Sequence, residues 1–363
     1  MNNPINHPRS SHSVSPSFGG GTGEALGTGE APTSSFEYCV AIRTVGKAGD
    51  KYIQELESLH RQTVKPKHIF VHLAEGFERP KKQVGMEEYI ITPKGLVHQR
   101  AASLEGVDTE FLLILDDDVF FPDDAVERLH DAMMAQEADC ISPDTFPNQE
   151  MSFAQRMIAY WANGVTRRRP DDRAIVIEPN GAFSFNPSPE KGRAYPTQSA
   201  AGPALFIKTE VFRAIQYEDE YWVDQFPAGT FYEDQLMFHK IHKNGFKVLL
   251  QYDAGVIHLD AGTNNVKQKT YEKLMYRAMA QYVIWYRSCY DADDVDEKGM
   301  RRARRAYRWR YVRGYITRCV FSLLKFSPRF IKAYIDGNHE GQAFVKTSKY
   351  LTVPNFIVKH EPL

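Results

Sequence analysis

Residues 111–118 have the sequence Phe-Leu-Leu-Ile-Leu-Asp-Asp-Asp, an unbroken apolar run that ends in three carboxylates. Such a run is typical of a central parallel strand that is buried on both faces. Apolar runs at 38–42 and 69–73 come before it, and helical periodicity covers 50–62. This alternation predicts an α/β fold with an open, mostly parallel sheet and helices on both faces.

The composition divides the 363-residue chain into three parts. Residues 1–35 are rich in Ser, Gly and Pro and hold few large apolar side chains, so we predict that they are disordered. Residues 36–265 carry the strand and helix pattern of the predicted catalytic domain. Residues 266–363 are predicted to form a helical, basic extension. From Arg301 to the end, 14 Lys and Arg stand against 3 Asp and Glu, although the whole chain has a net charge of -1.

Several classes of protein are poorly supported by the sequence. The four cysteines are widely spaced and form no Cys-x-x-Cys pair, which argues against a disulfide framework or a zinc site and favours a reducing compartment. We find no signal-peptide pattern and no run of about 18 apolar residues, so we expect a cytoplasmic protein. Glycine-rich phosphate loops of the Walker type, dinucleotide fingerprints and Gly-x-Ser-x-Gly elbows are also missing from the sequence.

The three consecutive aspartates are the most informative polar feature. In open α/β sheets, ligands bind outside the carboxyl ends of the strands. The alternate carboxylates of Asp116 and Asp118 can converge there on a hard divalent cation, with phosphate oxygens completing its shell. The alternative is a solvated acidic turn that caps the following helix.

A second acidic pair opens the helix predicted at 233–243. Glu233 and Asp234 are explained by helix capping alone, but one of them could also accept a proton from a hydroxyl nucleophile. His258 follows another apolar run, and a lone histidine is more often a structural hydrogen-bonding residue than a ligand.

Further polar residues lie where a doubly wound sheet presents loops to a nucleotide. Arg43 and Thr44 follow the first strand, Glu75 follows the second, and Arg100 lies in a helix before the acidic strand. Each of them could equally be an ordinary surface residue.

Taken in order, these motifs resemble a family-2 glycosyltransferase of the GT-A fold over about residues 38–260. The matching stretches are the first strand with Arg43-Thr44, the second strand with its acidic residue, Gly95 to Arg100, Phe111 to Asp118, and the series 202–208, 232–236, 245–248 and His258. Arg43-Thr44 departs from the family pattern, which usually has a proline and an aromatic residue there.

The resemblance implies an inverting, metal-dependent enzyme. It would move a sugar from a nucleotide sugar, with UDP favoured as the carrier, to a hydroxyl of a glycan or lipid-linked acceptor in surface-polysaccharide synthesis. Asp116, Asp118 and His258 would hold Mn²⁺ or Mg²⁺, and Asp234 would be the general base. The residues implied at the nucleotide sugar are Arg43, Thr44, Glu75, Arg100 and Asp117, and those expected on the acceptor side are Trp222, Tyr232 and Glu233.

Two other functions fit parts of the sequence. A sugar nucleotidyltransferase would use the same carboxylates. Its glycine-rich loop is matched only weakly by Gly46-Lys47-Ala48-Gly49. A catalytically silent homologue could instead act as a membrane-docked scaffold. The complete set of carboxylates and the histidine argue against the scaffold.

The basic extension indicates a contact with a polyanion. Residues 301–318 carry eight arginines and no acid, interleaved with tyrosines and Trp309. Such a mixture suits an interfacial helix, so we expect 301–333 to contact an anionic membrane surface, on the inner face of the cell membrane. A helix that packs its aromatic residues on the body and leaves its arginines solvated is the next alternative, and stacking on nucleic acid is the least favoured.

Overall fold

The computed structural model describes residues 36–146, 152–167, 171–226, 232–260, 271–324 and 327–358. The segment 1–35, predicted to be disordered, and the predicted domain boundary at 265 lie outside these ranges. The strands are β1 Tyr38–Thr44, β2 Ile69–Ala74, β3 Glu87–Thr92, β4 Phe111–Asp116, β5 Val119–Phe120, β6 Cys140–Pro143, β7 Thr166–Arg167, β8 Ile175–Ile177, β9 Phe183–Phe185, β10 Ala194–Pro196, β11 Ala204–Lys208, β12 Val248–Gln251 and β13 Ile257–His258.

The helices alternate with the strands at first and then dominate the C-terminal part of the described chain. They are α1 Asp50–His60, α2 Leu96–Ala101, α3 Ala125–Ala135, α4 Phe153–Asn163, α5 Thr209–Ala214, α6 Glu233–Lys243, α7 Tyr271–Trp285, α8 Glu297–Leu324, α9 Arg329–Phe344 and α10 Ser348–Leu351. A 3₁₀ segment spans Tyr217–Gln225, and α7 continues into a π-helical turn over Tyr286–Tyr290. None of the helices in the described ranges is both long and apolar enough to cross a membrane.

The central sheet has eight strands in the order β10-β12-β6-β11-β4-β1-β2-β3. The pairs β1–β2, β1–β4, β2–β3 and β6–β12 are parallel, whereas β11 runs antiparallel to both of its neighbours and β10 runs antiparallel to β12. Six of the eight strands therefore share one direction, as the sequence predicted.

Both faces of this sheet are covered by helices, because the strands are apolar on both sides. Tyr38, Val40 and Ile42 of β1 belong to a core with α1 and α3, whereas Cys39 and Ala41 belong to a core with α2, α5 and α6. This period of two is what a strand requires. The predicted α/β class, the layered architecture and the helical C-terminal region are confirmed.

The reversed strand β11 determines what lies beside the acidic strand end. Ala204 of β11 pairs with Leu115 of β4, and the amide of Asp116 donates to the carbonyl of Pro203 at 3.0 Å. Gly202 and Pro203 are thereby held against the carboxyl end of β4. The functional residues of this edge consequently come from strands of both directions.

The C-terminal helices are joined to the α/β part through a buried ionic cluster. Glu220 accepts hydrogen bonds from Lys240 at 3.0 Å, from Arg287 at 2.9 Å and from the indole of Trp222 at 2.7 Å. Burial would raise the pKa of Glu220, but Arg287 and Lys240 outweigh it and the pKa lies below its ordinary value. Arg287 also donates to the carbonyl of Pro354 at 2.6 Å, so the cluster connects three parts of the chain.

Removal of Glu220 should strongly destabilise the protein. Glu220→Ala leaves the buried cation of Arg287 without its ion-pair partner and leaves Lys240 with only Asp219, 3.6 Å away, so we expect the free energy of unfolding to fall by about 3–5 kcal/mol. Urea denaturation measures this loss. Glu218→Ala changes an exposed carboxylate of the same 3₁₀ segment and should shift stability by less than about 0.5 kcal/mol. Equal effects of the two substitutions would contradict a stabilising role for the cluster.

Candidate active site

The site is assembled at the carboxyl ends of β1 and β4. These strands are parallel neighbours, and their register pairs Arg43 with Asp116. Arg43 Nε donates to Asp116 Oδ1 at 2.5 Å, and its Nη1 donates to Glu233 Oε1 at 2.7 Å. Glu233 begins helix α6, which lies 190 residues further along the chain. One arginine therefore brings the acidic strand end and the second acidic pair together.

A second arginine contacts the same two carboxylates from helix α2. Arg100 Nη2 lies 3.2 Å from Glu233 Oε1 and 3.6 Å from Asp116 Oδ1, and its Nη1 donates to the carbonyl of Gly202 at 3.0 Å. The Arg100 side chain has no exposed surface. It therefore acts on this site through the carboxylates that it holds, not through contact with a ligand.

These ion pairs keep the strand-end groups charged. Burial would raise the pKa of Asp116, but the guanidinium groups of Arg43 and Arg100 outweigh it and hold the pKa below its ordinary value. Burial would lower the pKa of Arg43, but Asp116 and Glu233 raise it well above the usual value. Desolvated charges of this kind are tolerated only when they are paired.

Helix α2, which carries Arg100, is fixed by a carboxylate from the 3₁₀ segment. Asp224 accepts from the amides of Val97 and His98 at 3.1 and 2.9 Å, and from His98 Nδ1 at 2.7 Å. The ring of Tyr221 also stacks on His98 with ring centroids 3.8 Å apart. A carboxylate at the first turn of a helix satisfies its otherwise unpaired amides. The 3₁₀ segment thus sets the position of Arg100.

Asp234 lies beside Glu233 at the start of α6 and is half-buried. Its Oδ2 accepts from the amide of Gly202 at 3.1 Å, and its Oδ1 accepts from the amide of Gln235 at 2.8 Å. Burial, followed by the adjacent charge of Glu233, raises the pKa of Asp234 to about 6, although Arg100 lowers it in part. A carboxylate with such a pKa is ionised near neutral pH yet can still take up a proton.

A cavity of about 300 Å³ opens beside Asp234. Its walls are formed by Asp144, Phe146, Ile175, Phe183, Phe185, Asn186, Ser199, Ala200, Ala201, Asp234, Gln235, Leu250 and Tyr252. Aromatic rings with a few polar groups are typical of small-molecule sites, and this volume lies at their lower limit. Most of these residues belong to 144–201, a stretch in which the sequence analysis predicted no helix or strand.

Asp118 and His258 meet at the same edge of the sheet. Antiparallel pairing of β13 with β5 sets His258 opposite Val119, and His258 Nε2 lies 3.1 Å from Asp118 Oδ1. The hydrogen bond to Asp118 is the main reason why the pKa of His258 is raised. Asp116 is also close enough for its charge to contribute to that shift.

Asp118 and His258 offer a carboxylate oxygen and an imidazole nitrogen, donor types that divalent transition metals accept. In this structure the two donors are hydrogen-bonded to each other at 3.1 Å. Asp116 differs, because its carboxylate is held by Arg43 and Arg100. Within the described ranges, no group of three or more His, Cys, Asp or Glu side chains is arranged to hold a metal ion.

Of the remaining residues predicted at the nucleotide, two form a buried hydrogen-bonded pair and one is exposed. Asp117 is buried and accepts a hydrogen bond from the hydroxyl of Thr44, which itself accepts from the amide of Gly46 at 2.8 Å. Burial raises the pKa of Asp117 to about 6. Glu75 is exposed just beyond β2, at the same edge of the sheet but without a direct bond to the arginines.

The residues predicted on the acceptor side lie in two different places in the structure. Tyr232 and Glu233 lie at the start of α6, and Tyr232 has a left-handed backbone with φ of 85°. For a bulky residue this conformation is strained, and such strain concentrates at functional sites. Trp222, by contrast, lies in the core, where it is 3% exposed and packs against Phe226 and Phe344. Its ring does not line the cavity beside Asp234, because the indole is turned toward Glu220.

Three residues of the site were missed by the sequence analysis. Asp224 caps α2, Asp144 lines the cavity with a pKa that burial raises to about 6, and Glu55 of α1 is fully buried. Burial, followed by the charge of Asp117, raises the pKa of Glu55 well above its ordinary value. The only sequence signal was for Glu55, an acidic residue at a position beside the apolar face of α1.

The glycine-rich loop after β1 has a packing explanation. A Cβ atom on Gly46 would lie 2.2 Å from the carbonyl oxygen of Glu78, and φ at Gly46 is +70°. The glycine therefore allows close packing of two loops. A bound phosphate is therefore not needed to explain the glycine at this position, and this weakens the nucleotidyltransferase alternative.

Comparison with known proteins finds likenesses among solved structures. No protein-family model matches the chain, and no curated protein matches its sequence. Among solved structures, the chain is similar to the crystal structure of GalNAc-T7 with UDP, GalNAc and Mn²⁺ at a TM-score of 0.45 and 12% sequence identity. The match covers 81% of this chain and 59% of that one, so the chain spans about three fifths of the length of GalNAc-T7.

Gly202 should be required for the position of Asp234. A Cβ atom on Gly202 would lie 2.6 Å from the Cβ of Asp234, closer than side chains approach one another. We expect Gly202→Ala to lower the free energy of unfolding by about 1–3 kcal/mol, measured by urea denaturation. In an Asp234→Gly background the same substitution should cost less than about 1 kcal/mol. An unchanged cost in that background would show that the two residues do not clash.

Proposed function

We propose that the protein is an inverting, metal-dependent glycosyltransferase that uses a nucleotide sugar, with UDP as the favoured carrier. The observation that carries the proposal is the junction made by Arg43, which joins Asp116 at the end of β4 to Glu233. We propose that the strand end at this junction binds a cation, beside Asp234 and its cavity. Sugar transfer needs these two elements together: a place for a diphosphate and a base for a hydroxyl.

Asp234 is the proposed general base. Its carboxylate lines the cavity, its pKa is about 6, and the amide of Gly202 fixes one of its oxygens. An acceptor hydroxyl in the cavity would transfer its proton to Asp234 as its oxygen attacks C1 of the donor sugar. The bond between C1 and the diphosphate oxygen breaks with its electron pair, so the nucleoside diphosphate leaves and the configuration at C1 inverts.

The donor diphosphate is proposed to lie over the edge formed by Asp116, Asp118 and His258. Asp118 and His258 would hold Mn²⁺ or Mg²⁺, with Asp116 beside them, and the cation would supply stabilisation of the charge on the departing diphosphate. Arg43 and Arg100 fix the carboxylates from behind, so Arg100 is a positioning residue. Thr44, Asp117 and Glu75 occupy the neighbouring strand ends, where we propose that the nucleotide lies.

The acceptor is proposed to be a hydroxyl of a glycan, free or lipid-linked, of the kind used in surface-polysaccharide synthesis. The aromatic side chains of the cavity, among them Phe183 and Tyr252, offer apolar surface to a sugar ring, while Asn186 and Asp144 offer hydrogen-bonding groups. Tyr232 and Glu233 lie at the start of the same helix as the base and are proposed to shape the entry of the acceptor.

Asp234→Asn should abolish transfer while nucleotide binding is kept. An amide cannot accept the hydroxyl proton, so we expect turnover to fall by about 10²–10⁴-fold. The measurement is release of UDP from a panel of UDP-hexoses with Mn²⁺ and an extract of membrane glycolipids. Thermal shifts with UDP and Mn²⁺ should be unchanged.

Asp131→Asn is the matched control for this substitution, since Asp131 is exposed on α3 and outside the site. It should turn over as the native protein does. Turnover of Asp234→Asn at the native rate would refute the role of Asp234. Release of pyrophosphate from UTP and a sugar phosphate, without release of UDP from any UDP-sugar, would instead identify a nucleotidyltransferase.

The transfer rate should depend on pH through Asp234. Because its pKa is raised to about 6, the carboxylate is mostly protonated and inactive as a base below that pH and ionised above it. We therefore expect kcat/KM to rise with pH and level off above about 7. A profile that stays flat from about pH 5 to about pH 7, one unit either side of this pKa, would argue against Asp234 as the base.

Asp118→Asn and His258→Gln should weaken nucleotide binding only when a cation is present. Each removes one of the two converging donors, so we expect the affinity for UDP with Mn²⁺ to fall by roughly tenfold or more. Thermal shifts with UDP, recorded with and without Mn²⁺, measure this change. The exposed His60, changed to Gln, is the control. A loss that is equal without Mn²⁺ would show that these residues do not hold the cation.

A further inference from the structure

The large exposed apolar side chains are concentrated on two neighbouring helices, α4 and α8. Those on α4 are Phe153, Met157 and Ile158, and those on α8 are Trp309, Val312, Tyr315, Ile316, Val320, Leu323 and Leu324. The most accessible are Leu323 at 75%, Phe153 at 72% and Leu324 at 71%. An exposed apolar patch of this kind marks a surface that contacts a membrane or another protein. We name these ten side chains the apolar face.

The spacing on α8 puts its apolar side chains on one side of the helix. Residues 309, 312, 316, 320 and 323 follow each other at intervals of three or four, the period of a single helical face. Helix α4 lies directly against α8: the guanidinium of Arg313 stacks over the ring of Tyr160 at 3.9 Å, and Arg318 donates to the carbonyl of Ala162 at 3.2 Å. The apolar side chains of the two helices are therefore neighbours on the surface.

The arginines of α8 form two groups, one that packs against the body of the protein and one that is exposed. Arg310, Arg313 and Arg318 face the body of the protein, where Arg310 donates to the carbonyl of Asn180 at 2.7 Å. Five others, in the first half of the described helix, are exposed: Arg301, Arg302, Arg304, Arg305 and Arg308. No acidic residue occurs between 301 and 324. The apolar face is thus continuous with a strongly cationic surface.

We propose that α4 and α8 together form a docking surface for an anionic membrane. The apolar face would enter the headgroup region while the exposed arginines contact anionic lipids, and Trp309 would lie at the boundary between the two. This assigns a role to α4, whose sequence carries no basic cluster. It also divides the segment 301–333 into arginines that pack inward and arginines that face the lipid.

The charge on this surface favours a membrane over a second copy of the chain. A symmetric dimer through the apolar face would bring two sets of five exposed arginines together, and like charges at an interface oppose association. An anionic bilayer neutralises them.

The docking surface lies near the proposed acceptor site. Arg310 of α8 donates to the carbonyl of Asn180 at 2.7 Å, and Phe183, three residues further along the chain, lines the cavity beside Asp234. Helix α8 therefore lies close to one wall of that cavity. A lipid-linked acceptor held in the bilayer would therefore be presented close to the cavity. That last step rests on the proposed function, whereas membrane docking does not.

Binding of the full-length protein to vesicles tests the docking surface without any donor or acceptor. We expect cosedimentation with phosphatidylcholine vesicles that contain about 30% phosphatidylglycerol, and at least tenfold weaker binding to phosphatidylcholine alone. Raising salt from about 50 to about 500 mM should weaken binding to the anionic vesicles.

Two pairs of substitutions separate the apolar from the cationic contribution. Leu323→Ser with Leu324→Ser, and Arg302→Gln with Arg305→Gln, should each weaken binding about tenfold or more. All four side chains are exposed, so the fold should be kept. The matched controls are Leu351→Ser, which changes a leucine that is 69% exposed on α10, and Lys346→Gln with Lys349→Gln. Both controls should bind as the native protein does.

Three results would overturn the proposal. They are equal binding to neutral and anionic vesicles, a loss in the control variants as large as in the variants of α8, and a concentration-dependent dimer that Leu323→Ser with Leu324→Ser dissolves. The transfer assay can be run on a detergent-solubilised glycolipid extract, without a bilayer. Failure of docking would therefore leave the transferase proposal standing, and failure of transfer would leave docking standing.

Discussion

The site depends on the balance of charge between two arginines and two carboxylates. Asp116 and Glu233 come from distant parts of the chain, and each is largely removed from water. Two carboxylates could not share that space unless Arg43 and Arg100 compensated them, because desolvation of an unpaired charge costs several kcal/mol. The same ion pairs hold α6 against the ends of β1 and β4. The ion pairs that compensate the buried charges therefore also fix the geometry of the site.

The reversed strand β11 determines the geometry around these ion pairs. It delivers Gly202 to the end of β4, where the carbonyl of Gly202 accepts from Arg100 and its amide donates to Asp234. One residue thus contacts both the buried guanidinium of Arg100 and the carboxylate of Asp234. The pKa of Asp116 lies below its ordinary value and that of Asp234 lies above it, although both carboxylates lie close to the same two arginines. Direct ion pairing of Asp116 explains the difference.

The sequence predicted the features that depend on local pattern. Hydrophobic runs located β1, β2 and β4, and capping residues located α6, because burial and helix ends act within a few residues. It could not predict the contact of Arg43 with Glu233 across 190 residues. Neither the cap that Asp224 provides for α2 nor the walls of the cavity had a periodic signal. Trp222 was predicted on the acceptor side because it is an aromatic residue, and the structure places its ring in the core.

The helices after α6 are not a separable appendage. Arg287 reaches Glu220 on one side and the carbonyl of Pro354 on the other, and the ring of Phe356 covers that guanidinium at 5.4 Å. A chain ending before residue 354 would open this ionic cluster to water and expose the core next to it. Exchange or truncation of the C-terminal helices alone would therefore disturb the packing of the α/β part as well.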